Sequence, residues 1–447
     1  MNEPIFIARQ DTLEQEILPA HWLSQYKLFG EESYTFQDKE IWKKLCMSRA
    51  AANDRDMHAE ALEEMLTTFS AEHTGKWMLL VYGMDAAVLE GLATMAAIAA
   101  NGTAMAAVAG NALLMHAITN SQTAMRAITN SQTAMRAIAN SQTAMQRIAN
   151  STTAMDAIGG SKIARDAVQA SPYYDAKIKE NDMAIAKLGV GFANLESARY
   201  SGCAGMAADS TAMTAIAASS AAMTAIAVSA VAMNAIGGNS IARDAISASS
   251  YYDANIKEND MAIAKLVVGF ANLESARYSG CAGMAADSTA MTAVAASSTA
   301  MTAVAASGVA LKAIAQAYKK TANMLQFLKA VNASDTLVKR IYSTLTNATA
   351  LFGAAQLGSQ DSVENANSWA TTSAAPNAFL ACACGYYGSS SDSVSVTYNG
   401  TVIAQKKTGT KQPGSVASTN VNAITMAPST FTENGDGYLA VQKFTAK

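Results

Sequence analysis

A ten-residue repeat dominates the middle of this 447-residue sequence and limits what the chain can fold into. Copies such as NSQTAMRAIT and NSQTAMRAIA place a methionine at every tenth position, and a β-branched residue follows nearly every methionine three positions later. The methionine register runs through Met95, Met105, Met115, Met125, Met135, Met145 and Met155, returns at Met213, Met223 and Met233, and returns again at Met291, Met301 and Leu311. A fixed short period is typical of fibrous and solenoid arrays.

A period of ten does not fit one continuous α-helix. Within one copy, Ala-Met-x-Ala-Ile places the apolar side chains on one helical face. Ten residues at about 100° each fall about 80° short of three turns, so this face would wind around a longer helix. The pattern therefore predicts a break in every copy, with serines that N-cap the short helices at Ser121, Ser131, Ser141 and Ser151. The asparagine before each serine can take the left-handed conformation that ends the previous helix.

Helices of about two turns are not stable alone, so these units must stack. Stacking within one chain and stacking between chains both satisfy the period. Alanine keeps the seam narrow and methionine fills irregular gaps, whereas the position after each methionine is polar at Arg126, Arg136, Gln146 and Asp156 and is expected to face solvent. Half of the residues are apolar but only 7% are aromatic, so the middle of the chain cannot build a large aliphatic core.

The sequence also contains a longer duplication, which includes some of the decads. The segments that begin IARDAVQASPYY at Ile163 and IARDAISASSYY at Ile241 match through the following fifty residues. Equivalent landmarks are Tyr173 and Tyr251, Phe192 and Phe270, Tyr200 and Tyr278, and Cys203 and Cys281. We interpret each copy as a thicker module between thin decad stretches, in which Asn181 or Asn259 caps a helix that continues to Tyr200 or Tyr278.

The two ends of the chain differ from the array. Residues 1–82 are richer in tryptophan and acidic side chains and are predicted to form a separate helical domain. From residue 378 the apolar pattern has period two, and VSVTYNGTVIAQ with Asn399-Gly400 at its centre is a strong β-hairpin signal. The predicted organisation is 1–82 N-terminal helical domain (the virion-anchoring part under the resemblance given below), 83–160 decads, 161–238 first module with decads, 239–310 duplicated module with decads, 311–360 helices, 361–377 linker and 378–447 small all-β domain.

Motifs for chemistry are missing from the sequence. There is no P-loop, dinucleotide fingerprint, G-x-S-x-G or H-E-x-x-H, and the four histidines have no cysteine or carboxylate at metal-ligand spacing: His21, His58, His73 and His116. Cys382 and Cys384 share one face of an extended strand, where burial as small apolar residues is expected. We therefore predict a protein that is not an enzyme and that carries no cofactor or metal.

Charge and hydropathy exclude two further classes of protein. A net charge of −3 gives no electrostatic attraction to nucleic acid. Residues 91–118 lack formal charge, but they are rich in alanine and glycine and continue into charged copies, so membrane insertion is not expected. The acidic N-terminus has no secretory signal pattern, and five scattered cysteines do not form a disulfide framework, so synthesis in a reducing cytoplasm is expected.

The repeats of the type TAMTAVAASSTAMTAVAAS resemble those of tail fibres and related virion proteins of tailed bacteriophages. The resemblance covers the array, about half of the chain, and includes no catalytic motif. It implies a fibrous homotrimer, made in the host cytoplasm and carried on the virion as a tail or neck appendage. Residues 1–82 would then bind tail, collar or baseplate proteins, and the C-terminal β domain would contact a host surface glycan or protein.

The tip aromatics are the candidate receptor contacts in this hypothesis, although a buried core position is an equal alternative for each of them: Tyr386, Tyr387, Tyr398 and Tyr438. A neck, collar or baseplate fibre without a receptor is an alternative function. A bacterial surface adhesin is a second alternative, disfavoured by the missing export signal. A membrane-active helical protein is a third, disfavoured by the capped and charged repeats.

Overall fold

The computed structural model describes residues 83–358, 369–370, 376–386, 393–406, 415–434 and 437–447, together with scattered positions between 59 and 82. The described chain is mostly helical, with antiparallel strands in its C-terminal part, which confirms the predicted mainly helical class with a small β region. The predicted anchor, residues 1–82, lies almost wholly outside the described residues. The chain divides into two compact units, one of the described residues up to 206 with 219–231, and one of 207–218 with 232–447.

The decads form a series of short helices separated by tight corners. The helices before the first module are α1 (Ala86–Leu89), α2 (Met95–Ala100), α3 (Gly102–Gly110), α4 (Ala112–Asn120), α5 (Gln122–Thr129), α6 (Gln132–Ala139), α7 (Gln142–Ala149) and α8 (Thr152–Gly160). The first module and its decads contain α9 (Lys162–Gln169), a π-helical segment (Asp175–Lys179), α10 (Asp182–Phe192), a 3-10 turn (Ser197–Arg199), α11 (Cys203–Ala208), α12 (Ser210–Ala217), α13 (Ser220–Ala227) and α14 (Ala230–Gly238).

The second module repeats this order of elements. It contains α15 (Ser240–Ser247), a π-helical segment (Asp253–Lys257), α16 (Asp260–Phe270), a 3-10 turn (Ser275–Arg277), α17 (Cys281–Ala286), α18 (Ser288–Ala296) and α19 (Ser298–Ala306). Three further helices follow: α20 (Gly308–Gln316), α21 (Thr321–Asn332) and α22 (Asp335–Asn347).

The helices stack within one chain, three to a turn. In the first unit α5 packs on α2, α6 on α3, α7 on α4, α8 on α5 and α9 on α6. In the second unit α15 packs on α12, α19 on α16 and α20 on α17 by the same rule. The path between consecutive helices bends sharply, by 101° between α3 and α4 and by 104° between α18 and α19. Of the two stacking modes that satisfied the period, the structure has the one within a single chain.

One side chain holds each corner in two ways. The Ser131 hydroxyl accepts a hydrogen bond from the Ala134 amide and donates one to the Ala99 carbonyl, 32 residues earlier, at 2.6 Å. The Asn181 side chain makes the same two bonds. Its Oδ1 accepts from the Ala184 amide, and its Nδ2 donates to the Ala149 carbonyl at 3.0 Å. The same 32-residue bond, at 2.5–2.7 Å, is donated by Ser141, Ser151, Ser161, Ser171 and Ser249. The predicted N-caps are confirmed, and three of them, Ser131, Ser141 and Ser151, also connect one turn to the previous turn.

The asparagines do not end the helices as predicted. Asn130, Asn140 and Asn150 have φ angles of −87°, −89° and −97°, in the right-handed region. The chain turns instead at the next residue, because the Ser131 amide still bonds to the Ile128 carbonyl while Ser131 itself is extended. The corner therefore needs no left-handed residue.

The core of the array is filled by three positions of each decad. Ala134, Met135 and Ile138 are fully buried in α6, and the equivalent residues of the neighbouring helices are buried as well. Arg136 is exposed, as are Arg126 and Gln146, in agreement with the predicted outward position. Alanine and methionine therefore line a narrow interior that a single chain closes.

The helix that Asn181 caps is shorter than predicted. It ends at Phe192 rather than at Tyr200. Asn194 takes a left-handed conformation with φ of 58°, and the Leu195 amide bonds to the Val190 carbonyl, which is a typical helix C-cap. Every residue of α10 from Ala184 to Phe192 is buried, because α8, α13 and the 3-10 turn all pack on it.

The C-terminal region is a sandwich of two four-stranded antiparallel sheets. The strands are β1 (Phe352–Gly358), β2 (Trp369–Ala370), β3 (Ala378–Tyr386), β4 (Ser393–Tyr398), β5 (Thr401–Lys406), β6 (Ala423–Met426), β7 (Ser429–Asn434) and β8 (Gly437–Ala446). One sheet has the order β1-β8-β3-β6 and the other β2-β7-β4-β5. The predicted hairpin is confirmed, since β4 pairs with β5 and both Asn399 and Gly400 have positive φ.

The β region begins earlier than predicted and is joined to the preceding helices. β1 lies in the segment expected to be helical, and β2 lies in the expected linker. The rest of the segment 311–360 is helical as expected, with the end of α20 followed by α21 and α22, and Ser334 caps α22. Asn332 of α21 accepts from the Ile424 amide and donates to its carbonyl, which satisfies the open edge of β6. An all-β domain of 378–447 alone is therefore too small.

Replacing one corner serine tests the two bonds that it makes. Ser141→Ala removes the cap of α7 and leaves the Ala109 carbonyl without its partner, so a local loss of about 2–4 kcal/mol is expected. Amide hydrogen exchange of residues 142–149 measures it. Ser141→Asn is the matched control, because Asn181 makes both bonds elsewhere in the array. Equal protection in the two variants would contradict the role of the corner bond.

Candidate functional site

A buried lysine lies where the first module meets the array. Lys187 of α10 is completely buried, and its Nζ lies 2.5 Å from Oδ1 of Asp156 in α8. The same ammonium donates to the Ser197 carbonyl at 3.3 Å. The Ser197 hydroxyl, also buried, donates to the Asp156 carbonyl at 3.4 Å. This cluster ties α8, α10 and the 3-10 turn together around one charge.

Sequence reasoning did not single out this lysine. The signal was present, because Lys187 stands in the middle of an apolar run, AIAKLGVGF, where a charge costs free energy unless it is paired. Its partner, Asp156, was predicted only to face solvent. Asp156 is half-buried, and it can serve Lys187 because the three-helix turn brings α8 and α10 side by side.

The second module keeps the geometry but changes the acceptor. Lys265 is 3% exposed, and its Nζ donates to Oδ1 of Asn234 at 2.5 Å and to the Ser275 carbonyl at 3.4 Å. Asn234 occupies the position equivalent to Asp156, so a neutral amide replaces the carboxylate. An amide cannot replace a carboxylate that acts as a catalytic acid, but it can replace one that only accepts a hydrogen bond from the lysine. The cluster is therefore chemically suited to positioning rather than to catalysis.

An arginine and a phenylalanine brace the same module. Arg165 of α9 is 7% exposed, donates from Nη1 to the Gly159 carbonyl at 2.6 Å, and lies 5.4 Å over the Phe192 ring. Burial lowers the pKa of Arg165. In the second copy Arg243 takes the same position over Phe270, at 5.6 Å. Both modules thus use a cation–π contact to close the end of their longest helix.

Gly191 allows the backbones of α8 and α10 to touch. A Cβ atom at Gly191 would lie 2.5 Å from the Gly159 carbonyl oxygen, and we expect Gly191→Ala to destabilise the module by about 1–3 kcal/mol. Gly205→Ala is the control, because nothing lies within 4 Å of a Cβ there and alanine favours a helix. Thermal unfolding followed by circular dichroism measures both. A Gly191→Ala variant as stable as the control would argue against this close approach.

A glutamate takes the place of a carbonyl acceptor at the corner before α5. Ser121 donates to Oε2 of Glu63 at 2.5 Å, and the Thr123 hydroxyl donates to Oε1 at 2.7 Å. Burial raises the pKa of Glu63, but the bonds from Ser121 and Thr123 outweigh this effect and leave the pKa below its usual value. A groove of about 650 Å³ adjoins this carboxylate and is lined mainly by polar side chains, among them Arg126 and Asp156. Its two carboxylates Glu63 and Asp156 are already engaged, since Glu63 accepts from Ser121 and Thr123 and Asp156 accepts from Lys187.

The four cysteines in the described part of the chain are buried. Cys203 and Cys281 are free and buried, and burial, followed by the nearby Asp182 or Asp260, raises the pKa of each thiol. Cys382 and Cys384 are also free and buried in β3, as expected, and burial raises the pKa of Cys384 to about 12. A thiol reacts as its thiolate, so this burial disfavours nucleophilic chemistry at these cysteines.

The four candidate receptor tyrosines are not brought together as one described surface. Tyr398 is 2% exposed, and burial raises its pKa, so the structure places it in the core of the sandwich. Tyr386 and Tyr438 lie near the paired ends of β3 and β8, where only their backbones are described. Tyr387 lies outside the described residues.

Metal ligands and membrane spans were sought in the described part of the chain. No group of three or more histidine, cysteine, aspartate or glutamate side chains there could hold a metal ion. His21, His58 and His73 lie outside the described residues. No single described helix is both long enough and apolar enough to cross a membrane, although three pairs of consecutive helices pass that test jointly with a bend of more than 40°.

No protein-family model matches the sequence, and no curated protein matches it.

Proposed function

We propose that this chain is a structural fibre protein of a tailed-bacteriophage virion, in which the helical array acts as a spacer. The corner bond supports this proposal most directly. Where decads follow one another without interruption, the capping serines Ser131, Ser141, Ser151 and Ser161 each bond to the carbonyl 32 residues earlier, so each of these decads makes the same contact as the one before it. Arrays of this kind change in length without requiring a new kind of contact.

The buried polar clusters support a mechanical role rather than catalysis. Lys187 and Lys265 hold equivalent positions, with a carboxylate acceptor in one copy and an amide in the other. The four described thiols are buried. In the proposed fibre these groups fix the modules in place, residues 1–82 attach the chain to the virion, and the C-terminal sandwich faces the host surface.

A trimer remains part of the proposal, but the array does not require it. Met135 and Ile138 are already fully buried by one chain, so the repeat offers no reason for three chains to entwine. In a trimeric fibre the contacts between chains would come from outside the core of the array. Host attachment would then gain strength from several weak contacts made at once.

Light scattering and negative-stain electron microscopy of the full-length protein test the fibre hypothesis together. We expect a long thin particle, and the measured mass gives the number of chains in it. A compact particle would overturn the fibre proposal and would leave a single-chain scaffold. The mass alone distinguishes three parallel solenoids from one.

Cell binding separates a receptor-binding fibre from the neck, collar or baseplate alternative. Fluorescently labelled full-length protein is expected to bind host bacteria saturably and to be displaced by unlabelled protein. If the protein forms a fibre but does not bind cells, the collar-type structural function replaces attachment.

A further inference from the structure

We propose that a groove between the second module and α22 binds a small anionic amphiphile, a ligand with a phosphate or carboxylate group attached to an apolar body. The groove has a volume of about 940 Å³, which is within the range of small-molecule sites. One wall is formed by the end of the π-helical segment Asp253–Lys257 with Glu258, and the other by α22 and the loop that follows it. All of these elements belong to the second compact unit.

The charges that line the groove favour an anion. Lys339 and Arg340 are consecutive exposed residues of α22 that form no ion pair with any described residue, and Lys257 adds a third cation from the opposite wall. Lys257 lies 3.5 Å from the exposed Asp253, which neutralises it only weakly in water. Three cations line this one cavity, which favours a negatively charged ligand.

The single lining carboxylate is already engaged. Oε1 of Glu258 accepts from the Gly308 amide at 3.0 Å, and Oε2 accepts from the Val309 amide at 3.1 Å. This carboxylate therefore interacts with the N-terminus of α20, which stabilises negative charge. The electrostatic repulsion between Glu258 and a bound anion is therefore reduced.

The floor of the groove is apolar and close-packed. It is lined by Val309, Ala306, Ala348 and Leu351. Gly308 is needed beneath it, since a Cβ there would lie 3.0 Å from both Ala348 and Leu351. Apolar side chains beneath a cationic rim match a ligand that carries its charge at one end. Ser343 and Asn347 of α22 add hydrogen-bonding groups beside the cations.

Isothermal titration of the full-length protein with short-chain dihexanoyl phosphatidic acid, below its micelle concentration, tests this proposal. We expect saturable binding that weakens as salt is added, weaker binding of inorganic phosphate, and no binding of dihexanoyl phosphatidylcholine. The double variant Lys339→Ala/Arg340→Ala should weaken binding at least tenfold, because both side chains line the groove and neither forms an ion pair with a described residue. Lys329→Ala, an exposed position outside the groove, is the matched control.

Val309→Asp tests the apolar floor and the preference for an anion together. It should weaken binding of phosphatidic acid by more than tenfold, through repulsion and loss of apolar contact, and circular dichroism checks that the fold is retained. Absence of saturable binding, equal binding of the zwitterionic lipid, or insensitivity to the Lys339/Arg340 variant would each overturn the proposal. Inorganic phosphate binding as tightly as the lipid would overturn it as well, because the apolar floor would then contribute nothing.

Discussion

Proline at position 137 is expected to unfold its part of the array, whereas proline at position 132 is expected to leave it folded. Ala137 lies in the interior of α6, where proline removes a helical hydrogen bond and clashes with the preceding turn, at about 3 kcal/mol or more. Gln132 is the first residue of α6, where proline is well tolerated. Ser131 before it is already extended, with φ of −106° and ψ of 115°, as the residue before proline prefers.

The two proline substitutions lie half a decad apart, and together they test whether the chain turns a corner between α5 and α6. A chain in which the decads ran on as a continuous helix would be broken by both substitutions. Hydrogen exchange measured by mass spectrometry across residues 102–149 gives the result for each helix separately. We expect Ala137→Pro to remove protection from α6 and from its stacking partner α3, because neighbouring turns of such an array stabilise one another. Equal loss of protection in Gln132→Pro would refute the assigned corners.

The local features of this fold could be predicted from sequence because short-range chemistry determines them. Ser131 is an N-cap wherever its decad lies, and Asn399-Gly400 favours a two-residue hairpin whatever packs around it. The stacking could not be predicted in the same way. A period of ten is satisfied by one chain or by several, and the bond from Ser131 to Ala99 exists only after three helices have closed a turn.

The wrong boundaries have a common physical cause, which is tertiary context that short-range patterns omit. The helix after Asn181 could continue to Tyr200 by its composition, yet Asn194 ends it so that the 3-10 turn can fold back over Lys187. β1 has little sequence signal, because its small residues gain stability from pairing with β8 rather than from their own propensity.

Buried charge was the least visible feature of the sequence. Lys187 has no acceptor near it in the sequence, because its partner Asp156 lies 31 residues away on another helix. The duplication offered a better clue, since Lys187 and Lys265 are both retained while Asp156 is replaced by Asn234. A cation kept in two copies within an apolar run indicates burial more strongly than either copy alone.

Removal of the carboxylate beside Lys187 is expected to destabilise the first module and to spare the second. Asp156→Ala leaves a fully buried ammonium with only the Ser197 carbonyl from the described cluster, and we expect a loss of about 2–4 kcal/mol. Hydrogen exchange of α10 measures the effect. The chain provides its own internal control in α16, whose peptide is distinguished by Val267 in place of Gly189.

The natural difference between the two modules supplies the graded variants. Asp156→Asn should cost less than Asp156→Ala, because the second module folds with an amide at that position. Asn234→Asp should increase the protection of α16, since it gives Lys265 the carboxylate that Lys187 already has. Lys187→Met combined with Asp156→Ala should recover most of the lost protection, because the desolvated charge is then removed together with its partner. If Asp156→Ala and Asp156→Asn reduce protection equally, the module depends on the charge of the acceptor and not on its hydrogen bond, and the second module must then be stabilised by different contacts.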